Sequence, residues 1–164
     1  MGMHNLDRKS NRILKFSQIF SVIIDIMNSS KLDNIYSVVQ PNKIIAIISK
    51  NLSEKRVNLT AENQILQASI LNFGRNTKVA AHSHLNTERT TFGTQEAWVV
   101  LKGKAEVLFY DLDKKLIKSQ LISKGHVIIL CDGGHALKTK SRSFTMVEIK
   151  NGPYLGKDSD AVYI

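Results

Sequence analysis

The sequence predicts an all-β fold, a sandwich or barrel of short antiparallel strands, with one α-helix at the N-terminal end. Three observations carry this. After position 64, apolar and β-branched runs bounded by turn residues recur about every ten residues. No helical period of useful length interrupts them. Before them, residues 11–29 read NRILKFSQIFSVIIDIMNS, where Ile13, Phe16, Ile19, Phe20, Ile23 and Met27 fall on one helical face.

The elements follow in order. Residues 1–34 are expected to form a helical extension, stopped by Asn28, Ser29 and Ser30. Arg8, Lys9, Arg12 and Lys15 precede its apolar part, as in a secretory leader. Asp25 interrupts the apolar run and no small-x-small cleavage site follows, so a helix is the better reading. Residues 35–164 are expected to form a single domain. Its first strands come from IYSVVQ, KIIAIIS, SEKRVNLT and ILQASILNF. Then EAWVVLKG, KAEVLFYDLD, KLIKSQLISKG, HVIILCDGG, HALKTK and SFTMVEIKNG each read as one strand with a turn at its end.

Composition narrows the function. The chain has 164 residues, 43% of them hydrophobic, and no long Gly/Ser linker, which suits one domain with its own core. A single cysteine, Cys131, excludes an internal disulfide and fits a reducing, cytoplasmic setting. No apolar run reaches the length of a membrane span. The net charge of +9 favours a small anionic ligand. The charge is dispersed and no aromatic residues interleave with it, so neither a nucleic acid nor a membrane is expected as partner. The chain contains no G-x-x-x-x-G-K-[ST], G-x-G-x-x-G or G-x-S-x-G, which weakens NTPase, dinucleotide and hydrolase readings.

The chemistry concentrates in AAHSHLNTERTTFGTQEAWVVLKG, residues 80–103. In an extended chain His82 and His84 point the same way. Glu96, Trp98 and Val100 share a face on the next strand, and across Gly103 the residues Ala105, Val107 and Phe109 form a matching apolar face. Glu96 is then a carboxylate at the mouth of an apolar interior, costly unless paired or bound to a metal. His135 opens a later strand and shares a face with Leu137 and Thr139. Three imidazoles and one carboxylate suit one divalent transition metal, Zn, Fe, Mn or Ni. Trp98 reads either as a core residue with a local partner for its indole N–H or as a pocket wall. Cys131 reads as a buried small residue near a turn, and His126 as a rim residue after Gly125.

These residues resemble the motifs of the cupin superfamily. Glu96, six residues and Gly103 match the end of its first motif, roughly G-x5-H-x-H-x3,4-E-x6-G, with His82 and His84 as the H-x-H. Gly125, HVIIL, Gly133 and His135 are similar to its second motif, roughly G-x5-P-x-G-x2-H, with Cys131 in the proline's place. The resemblance covers residues 64–153, and the tail EIKNGPYLGKD is similar to the end of a subgroup of bacterial cupins. Eleven residues separate His84 from Glu96, where the motif has three or four. Glu88 meets the short spacing and competes with Glu96, which keeps its distance to Gly103. The segment LNTERTTFGT then becomes an enlarged loop where Arg89, Thr90 and Thr91 face a ligand, Arg89 meeting an anionic group.

The resemblance implies a double-stranded β-helix, or jelly-roll, barrel and a homodimer. It implies a metal held by His82, His84, Glu96 and His135, and a substrate site including Arg89, Thr91 and Trp98. The implied function is action on a small molecule, a sugar or nucleotide-sugar derivative, in an isomerase- or epimerase-like reaction of surface-polysaccharide metabolism. Two alternatives stand beside it, an iron-dependent dioxygenase and a non-catalytic ligand-binding or sensory module. Where no metal is held, His84 and His135 are the candidates for proton transfer.

Overall fold

A computed structural model describes residues 32–50 and 52–164. The expected N-terminal helix lies outside the described residues, and the last three positions of the 1–34 extension, Leu32, Asp33 and Asn34, are strand. Ten strands follow: β1 (Leu32–Tyr36), β2 (Ile44–Ser49), β3 (Arg56–Asn58), β4 (Ser69–Leu71), β5 (Glu96–Lys102), β6 (Lys104–Tyr110), β7 (Leu116–Ser123), β8 (Val127–Leu130), β9 (Gly134–Thr139) and β10 (Thr145–Lys150). One helical turn, α1 (Lys157–Asp160), comes after them.

All pairings are antiparallel. A five-stranded sheet has the order β1-β2-β8-β5-β10, a three-stranded sheet β7-β6-β9, and β3-β4 form a separate hairpin. The chain crosses from one sheet to the other between β5 and β6, β6 and β7 form a hairpin, and from β7 onward successive strands alternate between the two larger sheets. β7 joins β6, β8 joins β5, β9 joins β6 and β10 joins β5. Gly103 makes the β5–β6 turn at φ +81°, and a Cβ there would collide with the Ser143 carbonyl oxygen. That position therefore requires glycine on two counts.

The two larger sheets enclose one apolar cluster. Trp98, Val100, Ile128, Leu130, Ile45 and Ile48 come from the five-stranded sheet, and Ala105, Val107, Phe109 and Ile122 from the three-stranded one. The inward alternation expected for Trp98 with Val100, and for Ala105 with Val107 and Phe109, is present. The opposite face of the large sheet is also covered: Ile47, Ala97, Ile129 and Cys131 pack with Leu52 and Leu59, and against Val57 of β3 and Ile70 of β4. Burial on both faces explains why IIAIIS and VIIL are continuous apolar runs instead of alternating ones.

Each of the six strands expected between residues 96 and 150 is present. Two regions differ from expectation. Strand β1 lies at Leu32–Tyr36, and Ser37–Gln40 form the turn to β2, because the Ser37 hydroxyl accepts the Gln40 N–H and Asp111 accepts those of Val38 and Val39. Residues 72–94, where His82 and His84 would share a face in an extended chain, form an exposed irregular segment that joins no sheet. With that segment unpaired, β9 and β10 remain edge strands, and the described residues form antiparallel sheets without closing a barrel. No helix among the described residues is long and apolar enough to cross a membrane.

Candidate functional site

Strand pairing places three side chains at one end of the space between the sheets. Glu96 opens β5, opposite Leu130 of β8 on one side and Lys150 of β10 on the other. His135 lies on β9 opposite Phe109 of β6. The start of β5 is pinned from several directions. The Gln95 N–H donates to Asn151 Oδ1 at 2.7 Å, and its buried amide donates to the Cys131 carbonyl and accepts the Leu66 N–H.

Glu96 and His135 thus approach from different sheets. His135 Nε2 lies 3.6 Å from Glu96 Oε2, with the glutamate side chain 14% exposed. The buried Trp98 donates its indole N–H to the same oxygen at 3.1 Å and meets the His135 ring edge-to-face, centroids 5.1 Å apart. Trp98 is therefore a core residue with a local partner for its indole N–H; it touches Glu96 and His135 from the core side and does not line the cavity. On the other side of Glu96, Lys150 Nζ lies 3.6 Å from Oε1. Lys150 also meets Asp160 at 3.4 Å, Glu148 at 3.8 Å and the ring of Tyr154 at 5.4 Å.

Electrostatics follow from this arrangement. Burial pushes the His135 imidazole below its ordinary value, against the opposing pull of Glu96 and Glu148. Burial also pushes the Lys150 ammonium down, but Glu96, Asp160 and Glu148 outweigh it and hold its pKa above the ordinary lysine value. A neutral imidazole can accept a proton, while Lys150 balances the carboxylate charge.

Glu96, His135 and Lys150 line a cavity of about 530 Å³, within the size range of small-molecule sites. Its other walls include Thr94, Leu130 and the segment Asp160–Ile164.

Of the residues singled out in the sequence, the fold brings Glu96, Trp98 and His135 together. His82 and His84 stand on the exposed segment, rings 5.4 Å apart, with His82 Nδ1 2.9 Å from the Ala80 carbonyl oxygen. Among the described residues no three His, Cys, Asp or Glu side chains form a group able to hold a metal ion. Two of the four expected donors converge, and this arrangement by itself does not make a metal cage. Arg89 and Thr91 are exposed on the same segment and do not line the cavity; Glu88 is exposed there too.

Cys131 is buried, and burial together with the Asp132 charge pushes its thiol up to about 11. His126 is held at its turn, Nδ1 2.8 Å from the Ser123 carbonyl oxygen.

Lys150, Asp160 and Thr94 escaped the sequence reading. The signal for Lys150 was its alternation with Met146 and Glu148, but only the β5–β10 register sets it beside Glu96. Nothing local marks Thr94 or Asp160.

The fold and site define a mainly β protein of antiparallel sheets with a cavity of mixed polar and apolar lining at one end of its core. No family model, curated protein or solved structure matches the chain.

Proposed function

We propose that this chain is a cupin-type jelly-roll protein. It takes a small polar molecule, a sugar or nucleotide-sugar derivative, into the Glu96–His135 cavity and moves a proton on it in an isomerase- or epimerase-like reaction. The observation that carries the reading is the approach of His135 Nε2 to Glu96 Oε2 at 3.6 Å inside a ligand-sized cavity. Alternation of successive strands between two sheets supports the jelly-roll assignment. The roles follow from position. His135 accepts the proton from a hydroxyl-bearing carbon beside a carbonyl, the hydroxyl proton passes to the carbonyl oxygen through the enediol, and His135 returns its proton to the former carbonyl carbon on the same face. Glu96 steadies the imidazolium formed in between, and Trp98 fixes Glu96. The net charge of +9 favours an anionic substrate group. Homodimerisation through the edges of β9 or β10 would cover their unpaired backbone groups.

The test is exchange chemistry. Nucleotide sugars and sugar phosphates are first screened by thermal shift. Those that stabilise the protein are incubated with it in deuterated water, and proton loss beside the carbonyl is followed by NMR. Wild type is expected to catalyse exchange, and His135→Ala to abolish it while retaining a cooperative melt. Stabilisation without exchange would favour the non-catalytic binding module instead.

A second reading, a metal-holding cupin, is favoured by the exposed segment itself. Val79, Leu85 and Phe92 are 63%, 85% and 96% exposed there, apolar surface that pairing against the open edge of β9 would bury. Such pairing would carry His82 and His84 toward Glu96 and His135, and the four would hold a divalent metal acting as a Lewis acid on a substrate oxygen. Elemental analysis of wild type and of the His84→Ala/Glu96→Ala variant decides it. About one equivalent lost in the variant would establish the metal. Iron would turn the reading toward a dioxygenase, and no metal after reconstitution leaves the proton-transfer reading in place.

A further inference from the structure

Strand β10 ends the five-stranded sheet, and among the described residues nothing pairs with its outer edge. The open backbone groups can be named. The Val100 N–H donates to the His126 carbonyl, and the Val100 carbonyl accepts the Gly125 N–H, so both groups turn away from β10. Met146 stands opposite Val100. Antiparallel alternation then turns the N–H and C=O of Met146, Glu148 and Lys150 to the open edge, and those of Val147 and Ile149 to β5.

The outer face beside this edge is apolar. Val147 stands opposite Val99 and Ile149 opposite Ala97. The β3–β4 hairpin covers Ala97 but stops short of the rest. Leu101, Val147 and Ile149 remain 49%, 41% and 49% exposed. Open backbone and bare apolar surface on one strand suit the addition of another strand. Charge says which strand. The face of β10 that brings Lys150 to the cavity also carries Glu148, two residues away, so the strand is complementary to itself run in reverse.

We propose that β10 pairs antiparallel with β10 of a second copy of this chain, about a two-fold axis at Ile149. This narrows the homodimer reading above to one edge and one register. Centred there, Glu148 lies opposite the partner's Lys150, and Lys150 opposite the partner's Glu148. Both are hydrogen-bonded pairs, because these residues carry the edge-facing groups. An axis at Glu148 or at Lys150 sets like charges opposite each other, and an axis at Val147 sets Glu148 opposite the partner's Met146. Ile149 meets the partner's Ile149 on the outer face and joins the two apolar patches. Lys150 also lies 3.6 Å from Glu96 Oε1, so the seam borders the cavity.

The test reads assembly and register without any substrate. Sedimentation of full-length wild type is expected to show a dimer. In a Cys131→Ala background, Ile149→Cys and Val147→Cys are oxidised with copper phenanthroline in air and run on non-reducing gels. Residue 149 faces its own copy in a non-hydrogen-bonded pair, Cα atoms about 4.5 Å apart, within disulfide reach. Residue 147 is similarly exposed but lies four positions out of register with its copy, about 13 Å away. Ile149→Cys is therefore expected to link at least about tenfold faster. Glu148→Pro removes an edge-facing N–H and spares the β5–β10 ladder, so it is expected to sediment as a monomer with a cooperative melt. A monomeric wild type overturns the seam and leaves the edge to a foreign strand or to none. A dimer in which residue 149 links no faster than residue 147 also overturns it. The exchange assay reads the cavity separately: a linked dimer without exchange keeps the seam and drops the proposed reaction, and a monomer that exchanges does the reverse.

Discussion

The carboxylate of Glu96 is held by Trp98, whose indole N–H donates to Oε2 at 3.1 Å while the Trp98 ring packs edge-to-face on His135. One core side chain therefore sets both partners of the candidate dyad. Trp98→Phe keeps an aromatic ring but removes the donor. A hydrogen bond to a charged acceptor is worth about 2 kcal/mol, so urea unfolding should show a loss near that size, with the smaller ring adding to it. Glu96→Gln in the same background should cost less than in wild type, because the bond it weakens is already gone. Additive costs would mean that Trp98 acts on stability by packing alone.

Asp111 joins the β1–β2 turn to the β6–β7 hairpin. Its carboxylate accepts the backbone N–H groups of Val38, Val39 and Leu112. Burial pushes this carboxyl up, but hydrogen bonds from Ser37 and from those three backbone groups outweigh it and hold the pKa at about 2. The folded value lies below the unfolded one, so its stabilisation is complete above the ordinary aspartate range and is lost as pH falls through about 2. Wild type should therefore lose stability between about pH 4 and pH 2, and Asp111→Asn should be less stable at neutral pH with a shallower acid decline. Urea midpoints across that range measure both.

Cys131 should be silent in the folded protein. With the thiol buried and its pKa raised to about 11, almost no thiolate exists at pH 8. A chromogenic disulfide reagent should titrate no thiol in native protein and one in denaturant. Rapid reaction of native protein would mean that the β8–β9 turn opens readily.

Phe109 is fully buried where the two sheets meet. Phe109→Ala should cost roughly 3–5 kcal/mol, a large part of the stability of a domain this size. Loss of the cooperative thermal transition, or a melting point lowered by many degrees, is the expected readout. A small shift would show that the two sheets do not share one core.

Much of the strand layout was legible locally. Gly103 and Gly125, both at positive φ, punctuate runs whose period-2 alternation already separates inward from outward residues, as with Trp98 and Val100 or Val107 and Phe109. Continuous runs such as IIAIIS declared burial on both faces without saying what covers them. The 80–85 stretch was misleading because alternation describes what a strand would present, not whether a partner strand exists. With no ladder to satisfy its backbone, that segment stays open and its histidines stay in solvent.

The sequence by itself determined the β class, the turns after β5, the inward faces of β5 and β6, and the fact that Glu96 stands at the edge of an apolar interior. Those are properties of neighbouring residues, set by backbone preference and a period of two. Only the tertiary structure decided which distant residues meet. Glu96 finds Lys150 through the β5–β10 register, His135 through the facing of two sheets, and Asp160 through the path of the chain after β10. Those meetings join residues far apart in the chain, and strand order fixes them where local pattern does not.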